Sequence, residues 1–221
     1  MMINKWAQLF LLFLFCCHSS IAQQRQAYET WATLNLDYQF SKKWLYNISN
    51  QYRAYPNPIG FKSTWIELGT EYKLNKKFNL EVSARFVSNR KSDRTRYSFG
   101  ATYKDQFWKA KLAFKVNYFI ESKMSDYDNE FIHKSDHILR LRLISLFKIT
   151  KKKLTAGPLF EYRTDLRNLD LTPLLWRHGI AVKYDLNKRN SFSFLTFQEF
   201  EFPIPYKLTF VSNLSYTYLI K

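Results

Sequence analysis

Arg94 and Arg96, Lys109 and Lys111, and Arg140 and Arg142 stand in pairs two residues apart. On an extended strand that spacing puts both members of a pair on one face. Six such cations, facing inward, could line an anion pathway or hold the phosphate or carboxylate of a bound ligand. The competing expectation is that they are neutralised in place. Asp37, Glu67, Glu71, Glu81, Glu161, Asp185 and Glu199 fall on the same inward faces, and buried charges need partners. Inward Lys and Arg still outnumber these acids, so pairing is expected to leave an excess of positive charge.

Catalytic chemistry finds less support. His133 and His137 lie in or beside the 121–136 connection with Ser125, Ser135, Asp126, Asp128 and Asp136, which supplies a hydroxyl, a base and an acid. No motif of a lipid hydrolase or acyltransferase surrounds them, and they are ordinary contents of a polar loop. His-x3-His ligates a metal well on a helix, and this stretch has no helical period. The acids of Asp126 to Glu130 lack the glycine of a calcium loop. We therefore expect no catalytic residue, no metal site and no cofactor. His178 falls on an apolar face beside Trp176.

The elements that position these residues repeat along the chain. In YQFSKKWLYNISNQYR, from Tyr38 to Arg53, apolar and polar residues alternate on both sides of Ser41-Lys42-Lys43, the pattern of two half-buried strands around a tight turn. The pattern recurs at Tyr72 (YKLNKKFNLEV), Tyr103 (YKDQFWKAKLAF), Phe147 (FKITKKKLTAG) and Tyr184 (YDLNKRNSFSF). Unequal spacing suits hairpins joined by connections of differing length better than a solenoid. Eleven strand segments are predicted, near 30–40, 44–55, 63–74, 78–87, 94–104, 107–120, 137–149, 154–163, 176–186, 191–200 and 207–220. The segment at 191–200 is the least regular, because Phe192, Phe194, Leu195 and Phe197 blur its alternation. Pro158 cannot donate to a ladder and is expected to mark a bulge.

The amino terminus differs in kind. Lys5, the apolar run from Ala7 to Cys17 and Ser20-Ile21-Ala22 read as a cleaved signal peptide over 1–22. That leaves 23–221 as a single domain, without Cys16 and Cys17 and so without disulfide or thiolate chemistry. The formal net charge is +16, yet export and the lack of a basic helix argue against nucleic acid as a partner.

Segment length and face chemistry point to a membrane. The strands are about ten residues long, enough to cross a bilayer when tilted, and the apolar faces of the first nine hold no Asp, Glu, Lys or Arg in a chain that is 24% charged. Tyr38, Phe40, Trp44, Tyr72, Phe78 and Tyr103 gather at one end, and Tyr52, Tyr97, Tyr118, Tyr162 and Trp176 at the other. Leu36, Ile48, Leu68, Val82, Leu112, Leu141 and Val182 fill the middle, giving an aliphatic band between two aromatic belts. The sheet must close, because hydrocarbon leaves no partner for an open edge. The fold class is therefore all-β, an antiparallel up-and-down transmembrane β-barrel of about 10–12 strands. An even number is the rule for such barrels, so eleven segments require either an added amino-terminal strand or one segment outside the wall.

The leading TWATLNLDYQFSKKWLYNISNQYR, the echo YKLNKKFNLEVSARF and the closing LSYTYLIK resemble domain-of-unknown-function family 2490, predicted outer-membrane β-barrels common in Bacteroidota. The resemblance spans nearly all of 23–221 and implies location and fold, with no reaction or ligand. The expected partners follow from location: the barrel assembly machinery during insertion, and outer-membrane lipids and lipopolysaccharide near the lysine turns. A monomer is expected. The expected role is a structural or binding barrel with a charge-paired basic lumen. A small anion-selective channel or transporter, and an outer-membrane lipid hydrolase or acyltransferase, are the alternatives.

Overall fold

The computed structural model describes residues 26–56, 60–89, 92–107, 110–124, 135–149, 153–167, 173–202 and 207–221. The expected signal peptide lies outside them, as do Lys109, Ser125, Asp126, Asp128 and His133. The described residues form eleven strands and no helix. They are β1 (Gln26–Tyr38), β2 (Trp44–Ala54), β3 (Phe61–Lys73), β4 (Phe78–Asn89), β5 (Asp93–Phe107), β6 (Ala110–Met124), β7 (Ser135–Lys148), β8 (Leu154–Asp165), β9 (Pro173–Asp185), β10 (Asn190–Glu201) and β11 (Lys207–Ile220).

Each strand pairs antiparallel with the next, and β1 then pairs in parallel with β11 from Gln26 opposite Leu208 to Tyr38 opposite Ile220. This seam closes the barrel and corrects the expectation of an even count. With directions alternating, the first and eleventh strands run the same way, so a parallel pair is the only direct closure. Among the described residues no extra strand is added, and no segment leaves the wall. β10 sits between β9 and β11, and its blurred alternation has a physical cause. Leu195 and Phe197 point inward, where Phe197 joins Trp31 and Val211 in a small apolar cluster.

Three further expectations change. β5 runs on to Phe107, with Asp105 opposite Leu112 and Phe107 opposite Ala110, so the third short turn falls later than predicted. Pro158 produces no bulge: the β7–β8 ladder lacks rungs at Gly157 and Pro158 but keeps its register from Ile144–Leu159 to Phe147–Ala156. Register shifts occur instead at Arg53/Ala54 and Arg163/Thr164. Most strands also extend beyond their predicted ends at the long connections, which carries Glu29, Glu121 and Asp136 into the wall.

Period-two alternation holds around the ring. Leu34, Ile48, Leu68, Ile180 and Leu214 stand exposed on the outside, while Thr33, Ser49, Gln51, Asn117 and Glu161 are buried inside. Aromatic pairs border the outer wall at both ends. Trp44–Tyr72 (4.7 Å) and Phe78–Tyr103 (4.9 Å) lie near the short turns; Tyr28–Phe210 (5.3 Å) and Tyr52–Phe61 (5.6 Å) lie near the long connections.

The lysines of the short turns catch the eye in sequence, but the residue before them makes the turn. Ser41 Oγ accepts from the N–H groups of Lys43 (3.2 Å) and Trp44 (3.1 Å). Asn75 Oδ1 accepts from Lys77 and Phe78 (2.8 and 2.9 Å), and Asn187 Oδ1 from Arg189 and Asn190 (2.8 and 2.9 Å). One short polar side chain thus satisfies two backbone donors, the local turn that Asn and Ser favour. Asn75→Ala or Asn187→Ala should lower stability by about 0.5–1.5 kcal/mol per lost hydrogen bond, read as a shift in denaturant midpoint. Lys76→Ala should leave the midpoint in place, and an equal loss from it would return the turn to the lysines.

Candidate functional site

The inward side chains form a layered set of ion pairs. On the β7–β10 side, Glu161 is fully buried and accepts from three guanidiniums: Arg142 Nε at 2.6 Å, Arg163 Nε at 2.8 Å and Arg177 Nη1 at 2.9 Å. Arg177 also pairs with Glu199. Across the barrel, Arg85 Nε donates to Glu67 at 2.7 Å, and Glu121 holds Arg94 (3.0 Å) and Arg96 (Nε, 2.8 Å) together. Lys115 meets Glu81 at 2.6 Å, and Lys104 reaches Glu71 only at 3.6 Å.

Aromatic rings are interleaved with these cations. Arg53 lies 4.0 Å from the Trp31 ring, Arg85 4.0 Å from Trp65 and Arg96 4.4 Å from Phe119. A desolvated guanidinium on a ring face gains from the ring quadrupole, and Arg stacks there better than Lys because it is planar and weakly hydrated. Gln51 ties the layer together, accepting from Arg53 Nε (2.6 Å) and Trp65 Nε1 (2.9 Å) while donating to Thr33 (2.8 Å).

Among the described residues, two cavities lie within the barrel. The larger, about 490 Å³, lies towards the long connections and is bordered by Arg53, Tyr55, Trp65, Arg94 and Glu121. The smaller, about 250 Å³, lies towards the short turns, bordered by Asp37, Asn47, Glu71, Glu81, Lys115 and Arg140. Arg85 and Arg96 border both, so their paired, stacked side chains stand between the two halves.

The six cations singled out in sequence are therefore not one cluster. Arg94 and Arg96 share Glu121 beside the larger cavity, and Arg142 belongs to the Glu161 group. Arg140 is deeper, donating from Nη2 to Asn117 at 2.8 Å. Lys111 is exposed at the short-turn mouth, and Lys109 lies outside the described residues. Among the described residues the Nε atoms of Arg94 and Arg140 are buried without an acceptor.

Glu121, Glu29, Arg53's stacking on Trp31 and the inward rings of Trp65 and Phe119 were not read as site features. The sequence pattern puts Glu121 in the 121–136 connection, although it keeps the period-two phase of Lys115, Asn117 and Phe119. Following that phase past the first polar residues would have found it.

His137 and His178 stand apart from this network. His137 Nδ1 is 2.5 Å from the Tyr118 hydroxyl, while Asp136 pairs with Arg167 at 2.7 Å and Ser135 with Ser122 at 3.2 Å. His178 stacks on Phe200 at 5.5 Å. Outside the strands, hydrogen bonds to Asp165 hold the Arg167 guanidinium above its ordinary value, and one to Asp105 does the same for the Lys77 ammonium.

Removing one acid tests which pairs matter. Glu161→Gln leaves Arg142 and Arg163 without a carboxylate and should cost about 3–5 kcal/mol of unfolding free energy, as for a broken buried pair. Glu71→Gln, at the long half-exposed contact to Lys104, should cost at most about 1 kcal/mol. Similar midpoint shifts for both in denaturant unfolding would contradict the burial ranking.

No curated protein matches the chain. One family profile does, described as a protein of unknown function, DUF2490, over residues 28–205. That stretch begins within β1, ends just short of β11, and so takes in the whole charged interior except the seam strand's contribution. A match over so much of the chain makes this closed eleven-stranded barrel a member of the DUF2490 family.

Proposed function

We propose that the protein is exported to the outer membrane, where it forms a structural or binding barrel whose lumen is braced and blocked by its own ion pairs. The carrying observation is the inversion of its two faces. Leu34, Ile48, Leu68, Ile180 and Leu214 lie on the outside of a closed barrel, while Glu161, Glu121 and Arg177 lie inside. A soluble barrel buries its apolar face; this one displays it around the full ring, in a band bordered by aromatic pairs, as a lipid-facing wall does. The closed ladder leaves no unpaired strand edge for hydrocarbon to penalise. By the usual rule the long connections face outward and the short turns the periplasm.

The lumen reading rests on Arg85 and Arg96. Each is anchored to a carboxylate and an aromatic ring, and together they separate the two cavities. A conducting anion pathway would need these side chains to part. Arg94 and Arg140, whose Nε atoms lack an acceptor, border the larger and the smaller cavity respectively, and this favours that second reading, because each cavity then has a cation with a donor to spare. No catalytic step is assigned. Lipid acyl-chain turnover by the purified protein, lost with His137→Ala, would replace the proposal with an enzyme.

The protein should fractionate with the outer membrane and migrate differently in boiled and unboiled detergent gels. Leu68→Arg, in the middle of the apolar band, should cost about 2–4 kcal/mol and deplete the folded form, whereas Leu74→Arg in a short turn should cost about 0–1 kcal/mol. Recovery as a soluble monomer, or equal tolerance of both substitutions, would sink the membrane assignment. In planar bilayers the wild type should stay silent and the Arg85→Ser/Arg96→Ser double variant should conduct. Reproducible anion-selective steps from the wild type would make it a channel.

A further inference from the structure

The larger cavity carries charge that its own walls do not neutralise. Around it, Arg85 pairs with Glu67, Lys62 with Glu29 and Lys207 with Glu201, one to one. Arg94 and Arg96 share the single carboxylate of Glu121. Arg53 has no carboxylate within ion-pairing distance among the described residues: its Nε bonds Gln51 and its plane rests on Trp31. Two positive charges are left over, on Arg53 and on the Arg94/Arg96 pair, and both border one space of about 490 Å³. A second sign points the same way. Arg94 Nε is buried beside that space with no acceptor, and a buried cationic donor without a partner is costly.

We propose that this vestibule is a binding site for a soluble, sugar-sized ligand bearing a phosphate or carboxylate, which enters from the long-connection end. The inference rests on the barrel reading above and adds to it a ligand class and a location. Two guanidinium forks suit a planar or tetrahedral oxyanion, which each can hold by two parallel hydrogen bonds. The volume lies within the range of small-molecule sites. Tyr55 at the mouth offers a ring face and a hydroxyl to the uncharged part of the ligand. Arg85 and Arg96 form the floor, so the anion stops there instead of passing through. Interior ligation by Arg excludes a bilayer headgroup, since lipid meets only the apolar outside of the wall.

The test uses the full chain in detergent, with folding checked by heat-modifiable migration. Glucose 6-phosphate and glucuronate serve as probes in calorimetric titration, with glucose as the uncharged control. Saturable binding of at least one anionic probe is expected, and none of glucose. Arg53→Gln and Arg94→Gln should each weaken binding by about tenfold or more, the loss of a charge-assisted pair. Lys188→Gln, which removes one charge from an exposed turn, should not change it. Arg53→Lys, keeping charge but losing the fork, should bind more weakly than wild type. The proposal is overturned by a folded wild type that binds neither anion, by glucose binding as well as its phosphate, or by Lys188→Gln losing as much as Arg53→Gln. Failure of the membrane assignment would read differently: a soluble protein that still bound the probes would keep the vestibule and discard the location.

Discussion

The seam between β1 and β11 sets the terms for the rest of the barrel. Ten antiparallel pairings leave the first and last strands pointing the same way, and only their direct pairing removes both free edges. Parallel ladders have slanted hydrogen bonds and are slightly less stable per residue, and this one is reinforced on both faces. Inside, Thr33 Oγ1 donates to Asn213 at 3.0 Å and Asn35 Nδ2 to Thr217 at 3.2 Å. Also inside, Trp31 meets Phe197 edge-on at 5.3 Å, and outside Tyr28 stacks on Phe210 at 5.3 Å. The inner aromatic contact reaches past β11 to β10, so the seam is held across three strands. The carboxyl-terminal end of β11 and the amino-terminal end of β1 consequently lie at opposite ends of the barrel.

Closure creates an interior too narrow to be solvent-like and too polar to be a core, and the charges there depend on one another. Glu161 serves three guanidiniums, and Arg177 links it to Glu199. Such a set is stable only when complete, because each group lost leaves another buried and unpaired. Guanidiniums suit it better than ammonium groups. Arg53, Arg85 and Arg96 each use the edge for hydrogen bonds and the face for a ring, something a lysine cannot do.

Much of this was legible in the sequence, and the failures have physical causes. Existence and facing of all eleven strands followed from period-two alternation, because that pattern is written by the inside-outside contrast itself. Strand ends were not, since near the long connections the outer face need not be apolar and the contrast fades; Glu29 and Glu121 were missed for that reason. Phe197 misled because alternation assumes a polar interior, and here the seam required an apolar patch. Counting charges predicts an inward excess of cations. It cannot say which acid serves which arginine, because each inward acid has several cations within reach on its own and adjacent strands, as Glu161 does with Arg142, Arg163 and Arg177.

The wall is also shaped to its contents, which bears on what the interior is for. A Cβ at Gly100 would sit 2.1 Å from Asn117 Nδ2 and 2.8 Å from Glu81 Oε1, in the space the Glu81–Asn117 hydrogen bond occupies. At Gly179 it would sit 2.5 Å from Phe197 Cβ. Both glycines face inward in strands, where they weaken the ladder unless another group needs the room. An open water-filled channel would gain nothing from such close fitting, since side chains could move aside into solvent. The close fit at Gly100, beside Glu81 and Asn117, contrasts with the volume of about 490 Å³ left open beside Arg53 and Arg94. The uncompensated charge lies with the open part.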